Sequence, residues 1–389
     1  MKKIILLTAI FFAQRSSAQD YKKIHRKAIV VDTHNDILTK STDDGFVIDS
    51  DLKGKTQSDL ARWKQGGLDV QLFSVFCDGN KKDPFNYALR QMDTLDAVVA
   101  RNPTAIVKVP NSKALYKAIK QNKIAAMFGV EGGHMIEDDL NKLDRLYQRG
   151  ARYMTLTWNN STNWASSAFD EKFKKDITHK GLTDFGKQVV NRMNALGMMI
   201  DVSHIGETTF WDVMKITTKP VIASHSSVYS LCAHQRNLKG EQIKAIAANG
   251  GVMQINFYSG FLDSSFERRS ALFEAAHQAE KDSLLKINPE PYFFQQFLFT
   301  KYPAEVNALR PALDLLIAHI DYVVKLVGVD YVGLGSDFDG ISSWPQQLDD
   351  VTTYPLITKA LLQKGYSKKN ITKILGGNFL RVLKANEQQ

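Results

Sequence analysis

Three histidines and several carboxylates in this chain stand at the ends of short apolar runs. His34 and Asp36 follow Val30-Val31-Asp32-Thr33, and Glu131 precedes Gly132-Gly133-His134. His204 ends Asp201-Val202-Ser203-His204, and His225 lies within Ala223-Ser224-His225-Ser226-Ser227. Asp337 and Asp339 sit in Gly335-Ser336-Asp337-Phe338-Asp339-Gly340. Residues two apart in an extended chain point to one face, so His34 and Asp36 are expected to project together. The paired glycines let the backbone turn sharply and leave Glu131 unobstructed. Each element alone has a plainer reading: a hydrogen-bonded histidine, a helix-capping acid, a turn-forming aspartate. Gathered in one basin, they are costly unless metal ions or hydrogen bonds satisfy them. Nitrogen and oxygen donors without thiolates suit Zn²⁺, with Mn²⁺ or Co²⁺ as substitutes. Five donors exceed the needs of one catalytic zinc. Two ions sharing a carboxylate and a hydroxide would use them all, with Glu131 as the bridge, His34 and Asp36 on one side and His204 and His225 on the other. Such a pair would bring the bridging water toward a pKa of about 7, and Asp337 could hold that water and shuttle its proton.

The elements that must bring these residues together are legible as an alternation. Eight short, β-branched runs recur: Ala28–Val31, Val70–Phe76, Ile124–Val130, Tyr153–Thr157, Met198–Val202, Pro220–Ala223, Val252–Asn256 and Tyr331–Leu334. Between them lie helical patterns, such as Ala312–Leu326 with apolar residues at helical spacing, and Thr183–Leu196 with Thr183 as its cap. The alternation predicts an α/β fold, a TIM-like (β/α)8 barrel whose strand ends converge on one rim. A doubly wound open sheet is the alternative, because strand number does not prove closure. More than 70 residues separate the last two runs. Part of that interval, Phe261–Arg310, is rich in aromatic and charged residues. It is expected to be an inserted helical segment before the last strand, lying over the barrel mouth or forming a peripheral pair.

The chain has 389 residues, 44% hydrophobic and 23% charged, which excludes disorder and leaves material for a large core. Its net charge is +9, of which Lys2, Lys3 and Arg15 contribute three. The remaining excess is mild and no basic block argues for nucleic acid. Residues 1–18 have the layout of a signal peptide: two lysines, an apolar run from Ile4 to Ala13, then Ser16, Ser17 and Ala18. No cysteine marks a lipoprotein site, and no later stretch is long and apolar enough to span a bilayer. Residues 19–389 are therefore expected to be one exported barrel domain, periplasmic or secreted. Cys77 and Cys232 allow one disulfide or two separate buried thiols.

With these residues in place, the chain resembles the renal (membrane) dipeptidase family of binuclear zinc peptidases. The resemblance covers nearly all of the chain beyond residue 18. It rests on VVDTHNDIL, GVEGGH, RYMTLTW, DVSH, PVIASHSS, AHQRNL, INFY, VGLGSDFDG and NFLRVL, in that order. It implies a (β/α)8 barrel and two zinc ions, one on His34 and Asp36, the other on His204 and His225, bridged by Glu131. It also implies a small dipeptide substrate whose carboxylate is clamped by Arg236, Asp337 as the acid/base, tolerance of a D-residue on the C-terminal side, and a homodimer. A bidentate guanidinium suits a free carboxylate. The family usually carries a histidine after TLT, against the substrate; here that position is Trp158, which offers one N–H and no charge. Either the metals carry more of the oxyanion stabilisation, or Asn159, Asn160 or His134 substitutes, or the substrate is another amide, an N-acyl amino acid or a lactam. A non-enzymatic binding protein is a further alternative, for which three convergent histidines have no use.

Overall fold

The computed structural model describes residues 21–288 and 291–388, so the expected leader lies outside the described residues. Nine strands form: β1 (Val31–Asn35), β2 (Val70–Phe76), β3 (Ile106–Lys108), β4 (Ile124–Glu131), β5 (Ala151–Thr155), β6 (Met199–Asp201), β7 (Ile222–Ser226), β8 (Val252–Ile255) and β9 (Val332–Leu334). Eight run parallel in the order β1-β2-β4-β5-β6-β7-β8-β9, and β3 pairs in parallel with the first residues of β4. The eight match the expected runs, with β1 and β7 displaced toward their C-terminal ends. β3 was not among the expected runs.

The strands read as continuous apolar runs because both faces are covered. In β4, Ala125 and Met127 face the barrel interior, while Ala126, Phe128 and Val130 face the helices. The inner layer also takes Val31, Val70, Leu72, Met199, Ile222 and Val252. Phe379, Leu380 and Leu383 of the C-terminal helix Asn378–Asn386 complete this layer, so the NFLRVL motif is part of the core under the barrel. Thr183 caps the helix Asp184–Leu196 through its side chain, as expected.

Barrel closure joins β1 to the segment after β9. Asn35 bridges Phe338 in parallel, the Asp337 amide donates to the His34 carbonyl (3.1 Å), and the Asp36 amide donates to the Phe338 carbonyl (2.9 Å). Asp32 fastens the seam from the helix side, accepting from the Ser336 amide (2.8 Å), the Ser336 hydroxyl (2.7 Å) and the Tyr354 hydroxyl (2.6 Å). The sheet is thus a nearly closed barrel and not a doubly wound open sheet.

Two irregularities aim the histidines. Between Asp32 and Asn35, β1 advances three residues while β2 advances two, from Gln71 to Phe73. Between Ala223 and Ser226, β7 advances three while β8 advances two. Each extra residue is a bulge that reverses the in–out alternation. Val31 and Ile222 face inward, and strict alternation would send His34 and His225 outward; the bulges turn both in. The expected shared direction of His34 and Asp36 therefore has a different cause, since Asp36 lies beyond the strand at the start of the helix Ile37–Asp43.

The long interval before β9 is helical, as expected: Ser259–Leu262, Phe266–Ala276, Gln278–Ile287, Pro291–Lys301 and Pro303–Leu309. Phe266, Phe273, Leu284, Phe294, Leu298, Phe299 and Val306 give it an apolar cluster of its own. Its first turn packs into the rim, where the Cys232 thiol donates to the Gly260 carbonyl (3.3 Å) and His319 Nε2 bonds the Leu262 carbonyl (3.0 Å). Cys77 and Cys232 are separate buried thiols. Among the described residues no helix is long and apolar enough to cross a membrane.

Gly335 marks the tightest approach in the seam, because a β-carbon there would meet the Ser224 carbonyl and the Thr33 hydroxyl. Gly335→Ala is expected to cost about 1–3 kcal/mol of stability, as other overpacked cores do. Equilibrium denaturation would check this, and an unchanged midpoint would show that the seam yields.

Candidate functional site

The rim gathers the expected residues around one point. Glu131, at the inward-facing end of β4, lies at the centre. Its Oε2 is 3.1 Å from His34 Nε2, and its Oε1 is 2.8 Å from His204 Nε2 and 3.4 Å from His225 Nε2. His204 Nε2 and His225 Nε2 are 3.0 Å apart, and the His34 and His225 rings stack with centroids 3.8 Å apart. Asp36 Oδ2 stands 3.5 Å and Asp337 Oδ1 3.9 Å from His34 Nε2. Two sets, His34–Glu131–His225 and His34–Asp36–Asp337, each bring one donor atom per residue within 4.8 Å of one another.

Buried hydrogen bonds decide which nitrogen His34 and His225 present, whereas His204 Nδ1 has no partner. The Tyr153 hydroxyl donates its proton to the Thr33 carbonyl (3.0 Å), so at 2.7 Å its oxygen accepts from His34 Nδ1. The Ser224 hydroxyl donates to Asp201 Oδ2 (2.5 Å), so it accepts from His225 Nδ1 (2.7 Å). In both rings Nε2 then turns its lone pair to the centre, as metal-binding imidazoles held by an outer partner do. Gly129 makes this possible on one side, because a side chain there would collide with the Tyr153 ring. Asp201 is itself fixed by the Thr155 hydroxyl (2.5 Å) and the amides of Ser203 (3.0 Å) and Ser224 (2.8 Å). Tyr153, Ser224, Asp201 and Asp32 were not singled out as functional from the sequence. Tyr153, Asp201 and Ser224 lie inside the quoted motifs RYMTLTW, DVSH and PVIASHSS, and that is the signal that could have found them.

The electrostatics ask for positive charge at this point. Burial pushes the His34 imidazole down, but Glu131 and Asp36 beside it reverse this and hold it up at about 10. Burial raises Glu131, yet His34, His204 and His225 hold its carboxyl well below the usual range. Burial pushes the Asp36 and Asp337 carboxyls up. It pushes His204 down to about 3, with the Arg236 charge adding to the effect, and drives His225 down likewise. Both Asp36 oxygens are buried without a hydrogen-bond partner, a costly state for a carboxylate that nothing coordinates.

This donor set fits metal ions. Donors about 2.0–2.1 Å from a tetrahedral zinc stand roughly 3.3 Å from one another. The five closest separations among His34, Asp36, Glu131, His204 and His225 run from 2.8 to 3.5 Å.

The remaining expected residues border the centre. Arg236 is buried; its Nη2 donates to the His225 carbonyl (3.2 Å), its Nη1 lies 3.4 Å from the Ser226 hydroxyl, and its Nε has no partner. Burial brings its guanidinium down to about 10. Asp337 Oδ2 accepts from Asn256 Nδ2 (2.8 Å), which turns Oδ1 toward His34. The Trp158 ring lies 6.4 Å from that of His204. Of the possible substitutes for a charged donor there, His134 is engaged by the Cys77 carbonyl (3.0 Å) and kept neutral by burial. Asp339 faces away, accepting from the Gln57 amide (2.7 Å) and the Ser58 hydroxyl.

The sequence profile of the family described as Membrane dipeptidase (Peptidase family M19) matches residues 18–389. An uncharacterized dipeptidase of Schizosaccharomyces pombe is 32% identical over 398 residues, spanning 95% of this chain and 83% of that protein. Among solved structures, the probable dipeptidase PvdM of Pseudomonas aeruginosa superposes with a TM-score of 0.78 at 24% identity, covering 96% of this chain and 98% of that one. A metallo peptidase of Rhodobacter sphaeroides, liganded with a phosphinate mimic of the dipeptide L-Ala-D-Ala, gives 0.75 at 21% identity, over 93% of this chain and 100% of that one.

Tyr153→Phe removes the acceptor that orients His34. It is expected to weaken divalent-metal binding by about 10–100-fold, as loss of such outer partners does. Competition against a chromogenic chelator would measure this; an unchanged affinity would reduce Tyr153 to a core residue.

Proposed function

The chain belongs to the membrane dipeptidase family of metallopeptidases, and from that premise we propose that it is an exported, binuclear zinc dipeptidase. The observation that carries this reading is the convergence of five nitrogen and oxygen donors on one point, with both Asp36 oxygens left free. In this reading His34 and Asp36 would hold one ion and His204 and His225 the other, with Glu131 as the donor that would serve both. Such a pair supplies Lewis acidity toward the scissile carbonyl and a hydroxide nucleophile at neutral pH.

The chain's own residues do the rest. Arg236 offers its unpartnered Nε from a dry environment, where a charge-assisted bond to the C-terminal carboxylate is strong. With Oδ2 tied to Asn256, Asp337 takes the proton of the attacking water at Oδ1 and passes it to the leaving amine. The orientation of His34 Nε2 and His225 Nε2 is set by their outer partners before substrate arrives, so little reorganisation remains there. L,L-dipeptides are the expected substrates, with L,D-dipeptides accepted where the C-terminal side chain does not touch the donor cluster. Export rests on residues 1–18, whose pattern is that of a cleavable leader.

Purified protein is expected to contain close to two zinc ions per chain by elemental analysis. Dipeptide hydrolysis should fall to background after dialysis against a chelator and return with Zn²⁺. Stoichiometry of zero, or activity untouched by chelation, would end this reading. Arg236→Lys is expected to lower kcat/KM for free dipeptides by about 10-fold or more, through loss of a charged hydrogen bond. Dipeptide amides, which lack the carboxylate, should lose much less; an equal loss for both would remove Arg236 from carboxylate binding.

A further inference from the structure

An aromatic pair on the rim has no part in the chemistry above. Phe76 ends β2 in register with Glu131. Its ring meets that of Trp158 edge-on, with centroids 5.0 Å apart and planes at 61°. Trp158 also lies 6.4 Å from the His204 ring, so the pair borders the donor cluster. Both side chains are half-buried.

The pair is held from behind. His134 Nε2 bonds the Cys77 carbonyl at 3.0 Å, fastening the residue after Phe76 to the turn beyond β4. A side chain at Gly79 would collide with the Asn160 carboxamide, so the segments after β2 and β5 are in close contact. Placement around the barrel gives the pair its meaning. Arg236 and Phe261 follow β7 and β8, with the guanidinium 5.4 Å from the Phe261 ring. Phe76 and Trp158 belong to the β2–β4–β5 arc, on the other side of the donor cluster.

We propose that Phe76 and Trp158 form the specificity wall for the side chain of the substrate's N-terminal residue, and that they select a bulky apolar one, aliphatic or aromatic. This rests on the proposed function, in which Arg236 takes the C-terminal carboxylate and the donor cluster takes the scissile carbonyl. A dipeptide so threaded directs its N-terminal half at the opposite arc. There it meets two rings and a single indole N–H. An apolar side chain buries area against them, a glycine leaves the wall unfilled, and a charged one would lose hydration against the rings.

The test uses zinc-loaded wild type, Trp158→Ala and Phe76→Ala on the series Gly-, Ala-, Leu-, Phe- and Lys-glycine. Wild type is expected to favour Leu or Phe over Gly by at least about 10-fold in kcat/KM, the scale on which apolar pockets discriminate. Each substitution should shrink that ratio at least about threefold, mainly through KM. Phosphinate mimics bearing a leucine-like or a glycine-like N-terminal half, titrated calorimetrically, should show the same shift in Kd ratio without turnover. If Trp158→Ala does not fold, Phe76→Ala, one step further from His204, carries the measurement. Wild-type cleavage of dipeptides with no preference, a preference for Lys, or ratios unmoved by both substitutions would overturn the wall while leaving the dipeptidase reading intact. Failure of loaded wild type to cleave any dipeptide would overturn both.

Discussion

Three carboxylates held away from water around one point impose the condition that the rest of this structure meets. Asp36, Glu131 and Asp337 surround His34, with Arg236 as the buried guanidinium beside them. An isolated buried carboxylate is expensive, and a group of them is more so unless cations and hydrogen bonds compensate. The response of the imidazoles reveals the deficit. Glu131 and Asp36 pull the His34 imidazole up, while burial pushes His204 and His225 down, toward the neutral form that binds metals. The cluster is a cage of carboxylate and imidazole donors.

Local backbone irregularity is the means by which the fold satisfies that condition. Regular strands alternate their side chains, and alternation would leave His34 and His225 on the helix side of the barrel. The bulges in β1 and β7 reverse that at the positions needed. His204 and Asp337 sit at φ values of 64° and 62°, in the left-handed region. Each such residue costs about 1–3 kcal/mol and persists where its surroundings over-determine it. Both do persist here, held at the seam and at the end of β6. The Asp32–Ser336–Tyr354 network shows where part of that determination resides, since it fastens β1 to the segment carrying Asp337.

How much of this could be read from the chain follows from the range of each signal. The eight strand runs were legible because burial on both faces leaves a continuous apolar signature, and the donors were legible because each ends such a run. The cause of their convergence was not. H-x-D spacing suggested a common face through alternation, whereas a bulge and a helix start produce it. Register depends on the neighbouring strand, which sequence spacing does not contain. The outer partners were hidden for a related reason: Tyr153 and His34 are 119 residues apart, and nothing local to either marks the contact. Asp201 and Ser224 read as strand-end polar residues until Ser224 was seen to relay one to His225. The closing strand pair was equally out of reach, because Asn35 and Phe338 meet only when the barrel is complete.

Trp158 shows where local and global information must be combined. The family resemblance marks it as the loss of a histidine, for which His134 and the neighbouring asparagines are the candidate replacements. The fold removes His134 from that role, since its Nε2 is committed to the Cys77 carbonyl and burial keeps it neutral. Arg236 has the reach in charge, because His204 feels it, but its Nη2 is committed to the His225 carbonyl on the far side of the cluster. Neither His134 nor Arg236 therefore stands in for the histidine at the Trp158 position. In the proposed function, stabilisation of negative charge falls to the donor cluster and whatever it binds. That frees the β5 rim from electrostatic duty, and an indole can occupy it, backed by Phe76. With the donors on the β1, β4, β6, β7 and β9 ends, the β2 and β5 ends are left to shape recognition. On a barrel whose strand ends all face one basin, such a division needs only a change of side chain, with no change of fold.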